Sequence, residues 1–126
     1  MEYIPRKEMP QIEPKDVPHL IVDSWRLPHK PTIETVSPKT LHPHQRIDRQ
    51  RARTMPVSIR VSPVIISLDN YILDGNHRWY ANKYHRVSAM AVIRIGLEFN
   101  SALDYLLSLP FVTTERRLPE HDYQSK

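Results

Sequence analysis

Eight of this chain's 12 prolines fall before Gln45, and only 2 glycines occur among its 126 residues. Proline has no backbone N–H and its ring clashes with the preceding helical turn, so a proline-dense stretch cannot sustain a long helix. Residues 1–31 therefore read as an extended, proline-rich arm that wraps or trails. The packed domain is expected over residues 32–112, and residues 113–126 are expected as a polar, frayed tail. A chain of this length has room for one compact domain with a modest core.

Beyond the arm, strand and helix signals alternate. Residues 20–25 form a short apolar run that reads as an edge strand, and the β-branched residues 32–36 read as the first strand of the domain. Pro38 and Pro43 force a loop. Residues 46–55 contain neither proline nor glycine and favour a short helix, on which Arg46, Arg49, Gln50 and Arg53 would share a fully polar face. Residues 63–68 are the strongest strand, joined through a two-residue turn at Asp69 and Asn70 to a second strand at 71–73. Gly75 ends that strand. Residues 76–84 have helical composition, and residues 89–95 make another apolar strand. Phe99, Ala102, Leu103, Leu106 and Leu107 recur at helical spacing within residues 99–109, with Asn100 or Ser101 as cap and Pro110 as stop. The order implies a small α+β domain around a mixed sheet. Trp25, Trp79 and Tyr80 are expected to pack in or near its core.

The formal charge is +4, and Arg46, Arg49, Arg51, Arg53 and Arg60 lie within fifteen residues of one another. That balance favours an anionic partner without identifying it. The absence of cysteine excludes disulfides, thiolate nucleophiles and cysteine-based zinc sites. Apolar runs fall far short of the roughly 20 residues needed to cross a bilayer, and the N-terminus lacks a signal-peptide core. No membrane partner and a cytoplasmic location are expected.

The most distinctive segment is the passage from strand to helix at Asp74, Gly75, Asn76, His77 and Arg78. A helix N-terminus presents unpaired N–H groups and partial positive charge, which suits an anion. Glycine just ahead of it lets a phosphate approach the backbone closely. Arg78 can grip phosphate through two parallel bonds, and His77 can exchange a proton near neutral pH. Asp74 either caps the helix or helps hold a metal ion. The same residues also make an ordinary turn and cap, with a solvated His-Arg pair, and on the motif alone both readings stand.

The surrounding pattern adds a resemblance. Residues 62–81 run from a strand through a hairpin into a hydrophobic-Asp-Gly-x-His-Arg turn, then into a helix carrying the small Ala81. Residues 89–92 stand where a last strand enters, without the usual proline. Leu41, Pro43 and Gln45 match a Leu-x-Pro-x-Gln loop. Over residues 33–109 the chain resembles the ParB/sulfiredoxin superfamily, and more narrowly the small ParB-like nuclease-domain proteins found in phage genomes.

This resemblance implies a nucleotide or nucleic-acid phosphate held by the amides of Gly75, Asn76 and His77. Arg78 would neutralise it, and Gln45 and His44 would line the site. Asp74 would carry Mg²⁺, and His77 would transfer a proton if chemistry occurs. The implied cofactors are Mg²⁺ and a nucleoside triphosphate or diphosphate, and the implied reaction is phosphoryl transfer or phosphodiester hydrolysis. Sulfiredoxins need a cysteine beside the turn, so cysteine-sulfinate repair is excluded. Partition proteins add a helix-turn-helix domain and a dimerisation tail, which the seventeen residues after Leu109 cannot supply. Free-serine kinases of this fold use an upstream glutamate as base. Here that loop offers Gln45, so a kinase would depend on Asp48 or Glu34. A nuclease would need further carboxylates beside Asp74, from Asp48, Asp69 or Glu34, and Asp69 suits the hairpin turn better. His42, His44 and His77 match no zinc spacing, and the two loop histidines, His42 and His44, read as surface residues or phosphate contacts.

The alternative is a non-enzymatic phage protein in the host cytoplasm, binding DNA or inhibiting a host protein. Arg46, Arg49, Arg53 and Arg60 would then track a nucleic-acid backbone.

Overall fold

Val64, Ile65 and Ile66 are consecutive, apolar and all buried, because the strand they form has an apolar layer on each face. The computed structural model of the chain describes residues 4–114. Its centre is a four-stranded sheet of β1 (Thr32–Val36), β2 (Val64–Ile66), β3 (Ile72–Asp74) and β4 (Met90–Arg94), in the order β1-β4-β2-β3. β4 runs antiparallel to β1 and parallel to β2, and β2 runs antiparallel to β3. The helices are α1 (Val17–Ser24), α2 (Arg49–Arg53), α3 (Val57–Arg60), α4 (Asn76–Tyr84) and α5 (Phe99–Leu107). On one face, Ile65, Leu73 and Ile93 pack with Leu20 of α1 and with Phe99 and Leu106 of α5. On the other, Val64, Ile66, Ile72 and Val92 pack with Leu41 and with Trp79 of α4. The expected α+β class with a mixed sheet is present.

In the run expected as an edge strand at residues 20–25, residues 20–24 are helical. Asp16 stands at the N-cap of α1, and Pro18 falls in the first turn, where its missing N–H costs nothing. Leu20 and Ser24, four apart, are buried, while Val22 on the opposite side is 73% exposed. Trp25, just past the helix, is also exposed, against the expectation of core packing. Ahead of β1 the chain gives Met9, Ile12, Leu20 and Leu27 to the buried interior. Gln11 pairs with Thr113 in an isolated antiparallel bridge, and Ile4 N–H donates to the His44 carbonyl at 3.1 Å. The expected tail lies, from residue 115 onward, outside the described residues.

The hairpin loop is one residue longer than expected. Ser67 N–H donates to the Tyr71 carbonyl at 2.9 Å and Asn70 N–H to the Ser67 carbonyl at 3.2 Å, so the loop is Leu68, Asp69 and Asn70. Asn70 takes φ 67°, which asparagine tolerates better than most residues. Asp69 then reaches beyond its own turn. Its Oδ1 accepts from the Ser67 hydroxyl and, at 3.0 Å, from the backbone N–H of Phe99. The start of α5 is thus capped from the hairpin rather than by Asn100 or Ser101. In β3, Asp74 lies opposite Ile65 and Ile72 opposite Ile66, so Leu73 is an extra, bulged residue.

Candidate functional site

The bulged strand β3 delivers Asp74 to the sheet edge, and the chain reverses at Gly75 into α4. Gly75 has φ 108°, a left-handed conformation that favours glycine, and as N-cap it brings no side chain to the first-turn amides. A second segment closes over this turn. His42 N–H donates to the Asn70 carbonyl and Ile72 N–H to the His42 carbonyl, both at 2.9 Å, which fixes residues 42–45 beside β3. Asn76 Oδ1 accepts from His44 N–H at 3.3 Å, and Asn76 Nδ2 approaches Gln45 Oε1 at 3.5 Å.

A pocket of about 140 Å³ results, with Gln45, Arg51, Asn76, His77 and Arg78 in its lining. Its outer wall is Met9, Pro10 and Gln11, from the arm. Arg78 lies against Gly75 and donates through Nη2 to the Pro63 carbonyl at 3.1 Å. Asp74 Oδ2 accepts from Ile12 N–H at 3.1 Å, tying the arm to the turn. His77 is buried, and its Nε2 accepts from the backbone N–H of Asp48 at 3.0 Å. That lone pair must leave Asp48 before it can take a proton from anything else.

The expected site residues thus divide. Asp74, Gly75, Asn76, His77, Arg78 and Gln45 meet at the pocket. His44 points elsewhere: it is 3% exposed, and its ring stacks on Phe99 at 4.4 Å between centroids. His42 is exposed and packs its ring near Tyr71. Arg46 does not share the helix face expected for it with Arg49, Gln50 and Arg53. Asp48 Oδ1 accepts from Arg51 N–H at 3.1 Å and starts α2 at Arg49, leaving Arg46 in the preceding loop. Arg53 sits over the Tyr84 ring at 5.2 Å. Arg60, on α3, accepts from Asn82 Nδ2 through its carbonyl at 3.1 Å. Arg51 was expected only as part of the arginine cluster and not at the turn, and the Asp48 cap signal would have placed it by setting the helix phase. The arm residues Met9, Pro10 and Gln11 carry no local signal at all.

The donors do not make a protein metal site. Among the described residues no group of three His, Asp or Glu is placed to hold a metal. Asp48 caps α2, Asp69 caps α5, and Glu34 is held by Nε and Nη2 of Arg94, at 2.7 and 3.2 Å. Asp74 alone borders the pocket, and Mg²⁺ at such a site would depend on oxygens brought by phosphates. At about 140 Å³ the pocket is smaller than the roughly 300–1,000 Å³ of sites for small organic ligands, and its size matches a phosphate group rather than a whole nucleotide.

Comparison with protein-family models, with curated proteins and with solved structures returns no match for this chain. No helix among the described residues is long and apolar enough to cross a membrane.

Proposed function

We propose that this chain is a ParB/sulfiredoxin-like protein that binds a phosphate group of a nucleotide or nucleic acid at the Gly75 turn. One observation carries the reading: Arg51, Arg78, Gln45 and Asn76 line a pocket whose single carboxylate among the described residues, Asp74, already accepts from Ile12. The volume suits a phosphate group.

Binding is favoured over turnover. The Nε2 lone pair of His77 is committed to Asp48, and the Asp48 and Glu34 carboxylates that a kinase would need are committed to a helix cap and an ion pair. No step through Mg²⁺ is invoked.

Calorimetric titration with pyrophosphate, ATP and CTP, in Mg²⁺ and again in EDTA, tests the reading. Binding is expected to survive EDTA and to weaken about tenfold in Arg78→Ala, the loss of one charge-assisted phosphate contact. Absence of heat with all three ligands sinks it, as does full affinity in a normally melting Arg78→Ala. Release of phosphate or cleavage of DNA that disappears in His77→Ala would instead establish the enzymatic reading.

A further inference from the structure

Gln45 borders two openings. Beyond it from the turn pocket lies a hollow of about 520 Å³. Its lining includes the apolar Leu41 and Ile47, the half-buried Tyr80, and three cations, Arg46, Arg49 and Lys83. All three cations are exposed, and among the described residues none has a carboxylate partner. Lys83 instead sits over the ring of Trp79, 5.1 Å from its centroid. The nearest acid in sequence, Asp48, turns its carboxylate to the amide of Arg51. An unneutralised basic rim around an apolar, aromatic interior selects a ligand that is anionic on its edge and flat in its middle.

We propose that this hollow receives the unpaired base of a single-stranded nucleic acid whose neighbouring phosphate occupies the Gly75 turn, an inference that rests on the phosphate-binding reading of that turn. Three features point to a strand rather than a mononucleotide or a duplex. Cations stand on both sides of Gln45, with Arg51 and Arg78 at the turn and Arg46, Arg49 and Lys83 at the hollow, so the ligand carries several phosphates. The turn pocket, lined by Met9, Pro10 and Gln11, has the volume of a phosphate group, whereas the hollow has that of a nucleoside. Its concave apolar floor is reached only by a base that is not stacked and paired in a helix. Tyr80 supplies the face on which such a base lies.

The test is fluorescence anisotropy with a labelled oligothymidylate, the matching oligouridylate, a duplex containing the same strand, and thymidine monophosphate as competitor. Pyrophosphate calorimetry runs in parallel on each variant. Single strands should bind at least about tenfold tighter than the duplex or the monophosphate, with a salt slope that falls by about 0.7 for each rim cation removed. Lys83→Gln and Arg46→Gln, both at exposed positions, should each weaken the strand and leave pyrophosphate affinity unchanged. Tyr80→Leu should weaken the strand roughly tenfold through lost stacking, with thermal melting as the check on its fold. Arg78→Ala should weaken strand and pyrophosphate together. Strand affinity indifferent to Lys83→Gln, Arg46→Gln and Tyr80→Leu overturns the proposal, as does equal affinity for the duplex or the monophosphate. If those variants act but pyrophosphate never binds, the hollow stands and the turn reading falls. Comparison of the two oligomers tells DNA from RNA.

Discussion

At the scale of single residues, both glycines are where a side chain cannot go. At Gly96 an added Cβ would lie 1.9 Å from the carbonyl oxygen of His29, which is backbone and cannot swing aside. At Gly75 it would lie 2.8 Å from Nη2 of Arg78 and 3.0 Å from Cγ2 of Val64, on a residue already at φ 108°. Gly75→Ala should therefore cost about 1–2 kcal/mol from backbone strain and also push the guanidinium off the turn. Thermal melting and pyrophosphate titration should both register it. Lower stability with unchanged affinity would show that the position of Arg78 does not matter for the anion. Gly75 was legible in the sequence because it interrupts an apolar strand immediately ahead of a polar helix. Gly96 was not, since the atom that excludes a side chain belongs to a residue remote in sequence. The place of His77 in the first turn of α4 was legible, but its use as an acceptor for Asp48 depends on where a separate loop comes to rest.

At the scale of elements, Arg94 joins the edge strand to the hairpin. Its guanidinium holds Glu34 of β1 on one side and donates on the other to the Ser67 and Leu68 carbonyls and, at 2.6 Å, to Asn70 Oδ1. Hydrogen bonding from Arg94, then from Thr32, holds the Glu34 carboxyl below the usual glutamate range. A carboxyl depressed in the folded state adds stability that is fully present above the ordinary value of about 4.3 and is lost as pH falls through the lower folded value. Glu34→Gln should accordingly lower stability by about 1 kcal/mol at neutral pH, a modest figure because the pair is partly exposed. The gap between the two proteins should close as the pH drops below about 4. Melting curves at a series of pH values measure it, and a gap that persists at the acid end removes the ion pair as its cause. The strands were legible because their apolar runs are short and bounded by turn residues. The helix α1 was not, because its apolar run of residues 20–22 shows no period by itself, and the start signal at Asp16 and Pro18 lies outside that run. In α2 the composition indicated a helix, while its phase depended on the Asp48 cap.

At the scale of the molecule, the residues ahead of β1 return to the site rather than merely covering the sheet. They are pinned at the His44 carbonyl through Ile4, at Thr113 through Gln11, and at Asp74 through Ile12, and between these points Met9 and Pro10 wall the turn pocket. The α+β class followed from element order. The course of the arm did not, because prolines limit what a segment can form without saying where it docks. Asp74 consequently has a structural duty that its place in the turn motif conceals: it fixes the wall that keeps the pocket small. Asp74→Ala removes the acceptor of the Ile12 amide and should loosen that wall at a cost of about 1–3 kcal/mol for the donor left without a partner. Native-state hydrogen exchange localises the effect. The Ile12 amide should exchange at least about tenfold faster in the variant, followed by Gln11, whose N–H meets the Thr113 carbonyl at 2.7 Å, while amides of β2 and β4 keep their protection. The widened pocket should also admit ATP with less penalty relative to pyrophosphate than in the parent chain. Unchanged protection at Ile12 would mean that the carboxylate does not hold the arm, and that the pocket owes its size to Met9 and Pro10 packing alone.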